Sequence, residues 1–201
     1  MLNIVYSNRL EKLAEIYAQR LSQRQLSIFD KEQVIVQTEG MSKWLTLKCA
    51  ELNGAVSGLE FSTPVPFCVS MMKESLDRDY NIPDKHALAW AVFSFLSSEQ
   101  GHAAEFAQAV SYHGNDPLRI FQLAARIADL FDQYSLYRTD MVIAWDSGKM
   151  ILSENEALPE EFVWQYHLWR KIFAEYNHRG QILTDFLQSS VVPQIKHVSL
   201  F

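Results

Sequence analysis

The stretch VIVQTEGMSKWL, residues 34–45, limits the possible folds more than any other. An apolar strand passes one glycine and enters a helix directly, with no hairpin turn between them. Neighbouring strands joined through a helix run parallel, because an antiparallel neighbour is reached by a short reversal instead. Gln33–Gln37 (QVIVQ) therefore predicts a buried strand, and Met41–Leu52 the helix that follows it. The same order occurs upstream. Leu2–Tyr6 (LNIVY) predicts a first strand, Ser7 a helix N-cap, and Asn8–Gln25 a helix carrying Leu10, Leu13, Ile16, Tyr17 and Leu21 at helical spacing. A further short strand is expected over Leu59–Phe61. It is stopped by Thr63-Pro64-Val65-Pro66, since proline gives a ladder no donor, and Phe67–Leu76 restarts a helix. Strands that are apolar throughout and alternate with helices imply an α/β fold with a parallel sheet and right-handed connections.

Beyond the polar turn at Asp77–Asp84 the character changes, and almost everything to Val192 reads as helix. Ala87–Leu96 is apolar nearly all round and is expected at the centre of a bundle. Ala103–Val110, Leu118–Tyr137, Glu160–Tyr176 and Thr184–Ser190 follow, with a long linker around SGKMILSENEALP. His197–Phe201 (HVSLF) looks like a strand just begun, as if the sheet continued in a longer polypeptide. The expected organisation is an α/β core over 1–76, a helical insertion over 77–192, and the start of the next core strand over 193–201.

Charge restricts the function classes. The net charge is −6, whereas a domain that grips any nucleic acid through its phosphates is normally basic. A stand-alone, non-specific DNA binder is thus disfavoured, while a few base-reading residues inside a larger assembly are not. No apolar run approaches the ~20 residues of a membrane span, and the N-terminus lacks the layout of a signal peptide. Two cysteines, Cys49 and Cys68, without CxxC spacing fit free buried thiols in a reducing compartment, so a cytoplasmic location is expected.

The strand-glycine-helix outline at residues 34–45 resembles a phosphate loop, but its reactive parts are missing. A Walker loop needs GxxxxGK followed by Ser or Thr, to wrap phosphates in backbone N–H groups and to hold Mg²⁺. Here Gly40 stands alone, Lys43 is followed by Trp44, and Glu39 would repel a triphosphate. ATP hydrolysis at this loop is not expected. The six histidines show no HxxxH or HExxH pairing and read as surface or capping residues. Glu160-Glu161 reads as a helix start. No cofactor, metal site or catalytic residue is expected, and the chain by itself is predicted to be inactive. Trp90, Trp145, Trp164 and Trp169 are expected in the core. Trp44 is expected to be buried against its helix, with base stacking the alternative.

IADLFDQYSLYR, residues 127–138, is the most informative segment for function. Ile120, Leu123, Ile127, Leu130 and Tyr134 form an apolar stripe, while Asp129, Asp132 and Gln133 share another face, with Arg126 one turn back and Arg138 past the end. The plain reading is a solvated face stabilised by Arg126. The functional reading is a row of base-reading groups, in which Asp accepts from cytosine, Gln pairs with adenine and Arg with guanine.

MLNIVYSNRLEKL, VIVQTEGMSKWL, EFSTPVPF and above all ADLFDQYSLYR…AW resemble the N-terminal region of the RecC family, the gamma subunits of exodeoxyribonuclease V (RecBCD). The resemblance runs through almost the whole chain in the same order. It implies a superfamily 1 helicase-like core (the first α/β motor domain, of P-loop type) that has lost its ATPase motifs and carries a large helical insertion. It also implies a heterotrimer with RecB-like and RecD-like motor subunits, duplex splitting, and a channel that scans single-stranded DNA for the Chi sequence. Family positions lining that channel match Gln37, Asp129, Leu130, Asp132, Gln133 and Arg138. Glu39 and Lys43 match by position where the family carries uncharged polar residues, and Thr63 and Val69 occupy channel positions with different side chains. The competing reading is a helical protein-docking module with no DNA contact of its own. An active helicase or nuclease is the least expected.

Overall fold

The structure is a computed structural model that describes residues 3–24, 31–193 and 197–201. The chain is mostly helical, with a small parallel sheet, and divides into two compact units: Met1–Met71 with Val192–Phe201, and Met72–Val191.

The first unit contains α1 (Leu10–Gln23), β1 (Glu32–Ile35), α2 (Glu39–Asn53), β2 (Leu59–Ser62), the first part of α3 (Pro64–Leu76) and β5 (Val198–Leu200). The strand order is β2-β1-β5, both neighbours lying parallel to β1, as the helical connections require. Val34 is paired with Phe61 on one side and Ser199 on the other. Ala14, Tyr17 and Ala18 of α1, Val34 and Val36 of the central strand, and Leu45 and Cys49 of α2 form the core, with Trp44 and Phe201 packed against it. Thr38 caps α2 by accepting from the Met41 N–H at 3.2 Å.

Two expectations at the N-terminus fail. Residues 3–6 form no strand, and Ile4 and Tyr6 are 61% and 86% exposed; Leu2 lies outside the described residues. The central strand β1 already has a neighbour on each side, β2 and β5. The N-cap of α1 is Arg9 without a side-chain cap, while the Ser7 hydroxyl accepts from the Arg9 N–H. Helix α1 ends at Gln23, short of the predicted Gln25, because Arg24 is already extended as its C-cap; Gln25 itself lies outside the described residues.

The second unit holds the rest of α3, then α4 (Lys85–Leu96), α5 (Ala107–His113), α6 (Pro117–Tyr137), α7 (Thr139–Asp146), the hairpin β3 (Ile151–Ser153) and β4 (Glu156–Ala157), α8 (Val163–Ile172) and α9 (Arg179–Gln188). Local chemistry starts its helices. Asp84 accepts from the N–H groups of His86 and Ala87, and Asp116 accepts from that of Leu118 with Pro117 opening α6. The core runs through Val92, Leu96, Phe106, Ala124, Phe131, Val142, Trp145, Leu168 and Trp169. The buried side of α6 is centred on Ile120, Ala124, Ile127, Ala128, Phe131 and Ser135, with Leu123, Leu130 and Tyr134 at its half-buried margin.

The expected linker at 147–159 contains the β3–β4 hairpin, docked by the Trp145 indole N–H on the Ile151 carbonyl at 2.9 Å and by Arg138 on the Leu152 carbonyl. Trp90 is not a core residue. It is 58% exposed and stacks in a cluster with Phe93 and Phe121, because α4 is apolar on more sides than its neighbours cover. Cys68 is exposed, so only Cys49 is a buried thiol. Among the described residues no helix is long and apolar enough to cross a membrane, and no group of metal-ligating side chains is assembled.

His113 also departs from the surface or capping reading, since it is fully buried. Its Nδ1 accepts from the Asn115 N–H at 3.1 Å, while Nε2 has no partner among the described residues. Burial, and secondarily the neighbouring His102, push its pKa down. The unfolded chain therefore binds more protons below the ordinary histidine pKa of about 6.5. The His113 contribution to stability is complete above that value and is lost as pH falls from there through the depressed folded value. His102 opposes it, being raised by bonds to the Ser98 carbonyl and the Asn115 side chain. Urea titrations at pH 7 and pH 5 are expected to show a smaller acid loss for His113→Phe than for the unsubstituted chain. An equal loss in both would refute this assignment.

Candidate nucleic-acid interface

Two groups of residues were singled out by sequence, one in each unit. In the first unit, Gln37 follows the C-terminal end of β1 and Thr63 that of β2. These strands are adjacent and parallel, with Ile35 opposite Ser62, so both residues lie on the edge where sheets of this kind bind ligands. Gln37 is exposed and Thr63 half-buried. Glu39 and Lys43 are one turn apart on α2 and exposed, and Lys43 makes no ion pair among the described residues. Val69 is half-buried on α3.

Gly40 lies inside the first turn of α2, and a Cβ added there would meet only Thr38 Oγ1, at 3.7 Å. Residues 36–38 connect β1 to α2, and the Thr38 side chain accepts from one N–H of the helix's first turn.

In the second unit, Asp129, Asp132 and Gln133 share one face of α6, as their spacing requires. The Gln133 amide donates to Asp129 Oδ2 at 3.3 Å. The cations come from other helices instead of from Arg126. Lys85 of α4 donates to Asp129 Oδ1 at 2.5 Å, and Arg179 of α9 to Asp132 Oδ1 at 2.5 Å. The hydrogen bond and charge of Lys85 hold the Asp129 carboxyl below the usual range, so it remains an acceptor at neutral pH. A carboxylate has about four lone-pair sites, so each aspartate keeps acceptor capacity beyond its partner. Leu130 is half-buried beside this face, and Arg138 spends one donor on the Leu152 carbonyl.

Arg179 and Lys85 were not among the expected site residues. Arg179 lies 47 positions from Asp132, and no local spacing connects them. A row of paired carboxylates and an amide can accept from, and donate to, exposed base edges.

Comparison with known proteins identifies the family. Residues 2–199 match the family described as RecC, N-terminal domain. The RecBCD enzyme subunit RecC of Escherichia coli (strain K12) is 31% identical over 189 residues, covering 89% of this chain and 16% of its own length. The Haemophilus influenzae subunit of the same name is 27% identical over 220 residues, covering 93% of this chain and 19% of its own length. That of Mycobacterium tuberculosis (strain ATCC 25618 / H37Rv) is 28% identical over 192 residues, covering 85% and 16%. The chain thus spans less than a fifth of the length of these curated relatives. With a match over nearly its entire length, the chain belongs to the RecC N-terminal domain family.

Proposed function

We propose that this chain acts as a non-catalytic DNA-handling segment of a RecBCD-type exodeoxyribonuclease V. In this role it works beside RecB-like and RecD-like motor subunits during recombinational repair of double-strand breaks in the cytoplasm. The first unit takes the place of a helicase-like motor domain without nucleotide chemistry, and the helical unit is its insertion. The first unit offers Gln37, Glu39, Lys43, Thr63 and Val69, and the helical unit by itself offers Asp129, Leu130, Asp132, Gln133 and Arg138, as contacts to single-stranded DNA that is scanned for a Chi-type hotspot.

The observation that carries this reading is the α6 face. Asp129, Asp132 and Gln133 stand together there with hydrogen-bonding capacity left over, in a chain of the RecC family. The net charge of −6 means that phosphate affinity comes from other parts of the complex, and that this segment supplies selectivity.

The test uses the assembled complex with the full-length subunit carrying Asp132→Ala and Gln133→Ala. Unwinding is expected to continue while the response to the hotspot falls by roughly tenfold or more, the scale of losing one or two specific base contacts. An unchanged hotspot response at normal unwinding rejects the site.

A second reading, a protein-docking module, is favoured by the exposed Trp90 and Phe121, which pack around half-buried Phe93. The same experiment separates them. A pure docking module leaves hotspot response intact in the α6 variants.

A further inference from the structure

Arg179 reaches Asp132 from the first residue of α9, and the structure surrounds that residue with buried contacts that touch neither group. His178, the N-cap of α9, is 3% exposed. Its Nδ1 accepts from the Gln181 N–H at 3.3 Å, which puts the ring proton on Nε2. Nε2–H then donates to Asp146 Oδ2 at 2.7 Å, at the end of α7. The other oxygen of Asp146 accepts from the indole N–H of Trp169, a fully buried residue of α8, at 2.9 Å. The imidazole also packs edge-on against Trp169 and Phe173, with ring centroids 5.0 and 5.3 Å away. One carboxylate thereby joins the starts and ends of three helices.

The flanking residues tighten the hold. A Cβ on Gly180 would meet Thr139 Cγ2 at 3.1 Å, so α9 approaches α7 as closely as a glycine permits. Asn177 exchanges hydrogen bonds with Asn81, donating from its N–H at 2.9 Å and accepting on its side chain at 3.0 Å. Residues 177, 178 and 180 are thus fixed from three directions, and Arg179 is the one among 177–180 whose side chain leaves the cluster for the α6 face.

We infer that His178 and Asp146 are positioning residues for the candidate DNA interface. In this role the tautomer-locked His178–Asp146 bond sets the first turn of α9, so that Arg179 meets Asp132 and leaves its remaining donors and the free Asp132 lone pairs in one orientation. The inference rests on the proposed DNA-reading role of the α6 face, and adds Arg179 to it as the residue acted upon. A guanidinium with five donors in a rigid fork reads its partner through orientation. A loosened first turn therefore lowers selectivity before it lowers binding.

The experiment is a double-mutant cycle in the assembled complex with the full-length subunit. His178→Asn keeps a good N-cap acceptor but is too short to reach Asp146. Arg179→Ala removes the group acted upon. Selectivity is read by sequencing the fraction of a randomised single-stranded oligonucleotide pool that the complex retains, and stability by thermal melting. Each single variant is expected to lose selectivity on the order of tenfold, and the pair no more than either alone, while the melting shift of His178→Asn persists in both backgrounds.

Should His178→Asn fail to fold, Asp146→Asn replaces it. Its amide presents a donor to either Trp169 Nε1–H or His178 Nε2–H at unchanged volume, and the same non-additivity is expected. If Arg179→Ala costs selectivity but the His178 or Asp146 change costs none, or adds independently, the positioning role is overturned and the DNA reading survives. If Arg179→Ala has no effect while Asp132→Ala does, the inference again falls alone. No effect from either Arg179→Ala or Asp132→Ala removes the DNA reading itself.

Discussion

Gly101→Ala is expected to destabilise the helical unit by about 3 kcal/mol, the upper end of what overpacking costs. The reason is close backbone approach. A Cβ at this buried position would lie 2.4 Å from the Phe95 carbonyl oxygen, 2.7 Å from Leu96 Cα and 2.9 Å from its carbonyl carbon. No flexible side chain can move aside. Relief requires shifting either the last turn of α4 or the short 3₁₀ turn over Gln100–His102. Both are held, since Leu96 is fully buried and Phe95 packs edge-on against buried Phe106 at 5.1 Å.

Tryptophan fluorescence in urea reads the effect selectively, because Trp90, Trp145, Trp164 and Trp169 belong to this unit and Trp44 to the other. Gly114→Ala, in the same unit, is the control. Its φ is +53° and a Cβ there would meet nothing within 4 Å, so only conformational strain of about 1 kcal/mol applies. Equal midpoints for the two variants would remove the close-approach argument.

Glu32→Ala is expected to cost the first unit about 3 kcal/mol, the low end for breaking a buried ion pair. Glu32 is 1% exposed at the start of the central strand. It binds the Arg24 guanidinium and accepts from the Ser199 hydroxyl at 2.6 Å. Truncation leaves Arg24, whose side chain is 26% exposed, without its carboxylate, and deletes the side-chain tie between β1 and β5. Partial solvation of Arg24 keeps the loss from being larger. Glu32→Gln retains an acceptor for Ser199 and is expected to cost about half as much.

Hydrogen exchange gives the readout. In Glu32→Ala the amides of 198–201, including the Phe201 N–H that donates to the Ile35 carbonyl at 2.9 Å, should exchange faster than in the unsubstituted chain. Unchanged protection there, with loss elsewhere, would show that β5 is held by its backbone ladder alone.

Some of this architecture was readable without coordinates. Helix α6 announced itself through an apolar stripe of period 3.6, and the grouping of Asp129, Asp132 and Gln133 follows from that period alone. A parallel sheet was expected from strands that leave into helices, and it forms from QVIVQ, the Leu59–Phe61 run and VSL near the end of HVSLF, without the expected strand at the N-terminus.

Other features had no local signature. LNIVY is as apolar as QVIVQ, yet only the latter finds neighbours on both sides. Trp90 sits on a helix apolar on every side, and periodicity cannot say which side its neighbours leave bare. Above all, the partners of the candidate site come from far along the chain. Arg179 meets Asp132 because His178, Asp146 and Trp169 lock three helices together. The amino-acid order by itself determined which groups share a helix face, since helical geometry is a property of neighbours three and four residues apart. Which charges face those groups was decided only by the tertiary packing, because Coulomb and hydrogen-bond partners are chosen by distance in space, and burial of the apolar faces sets that distance.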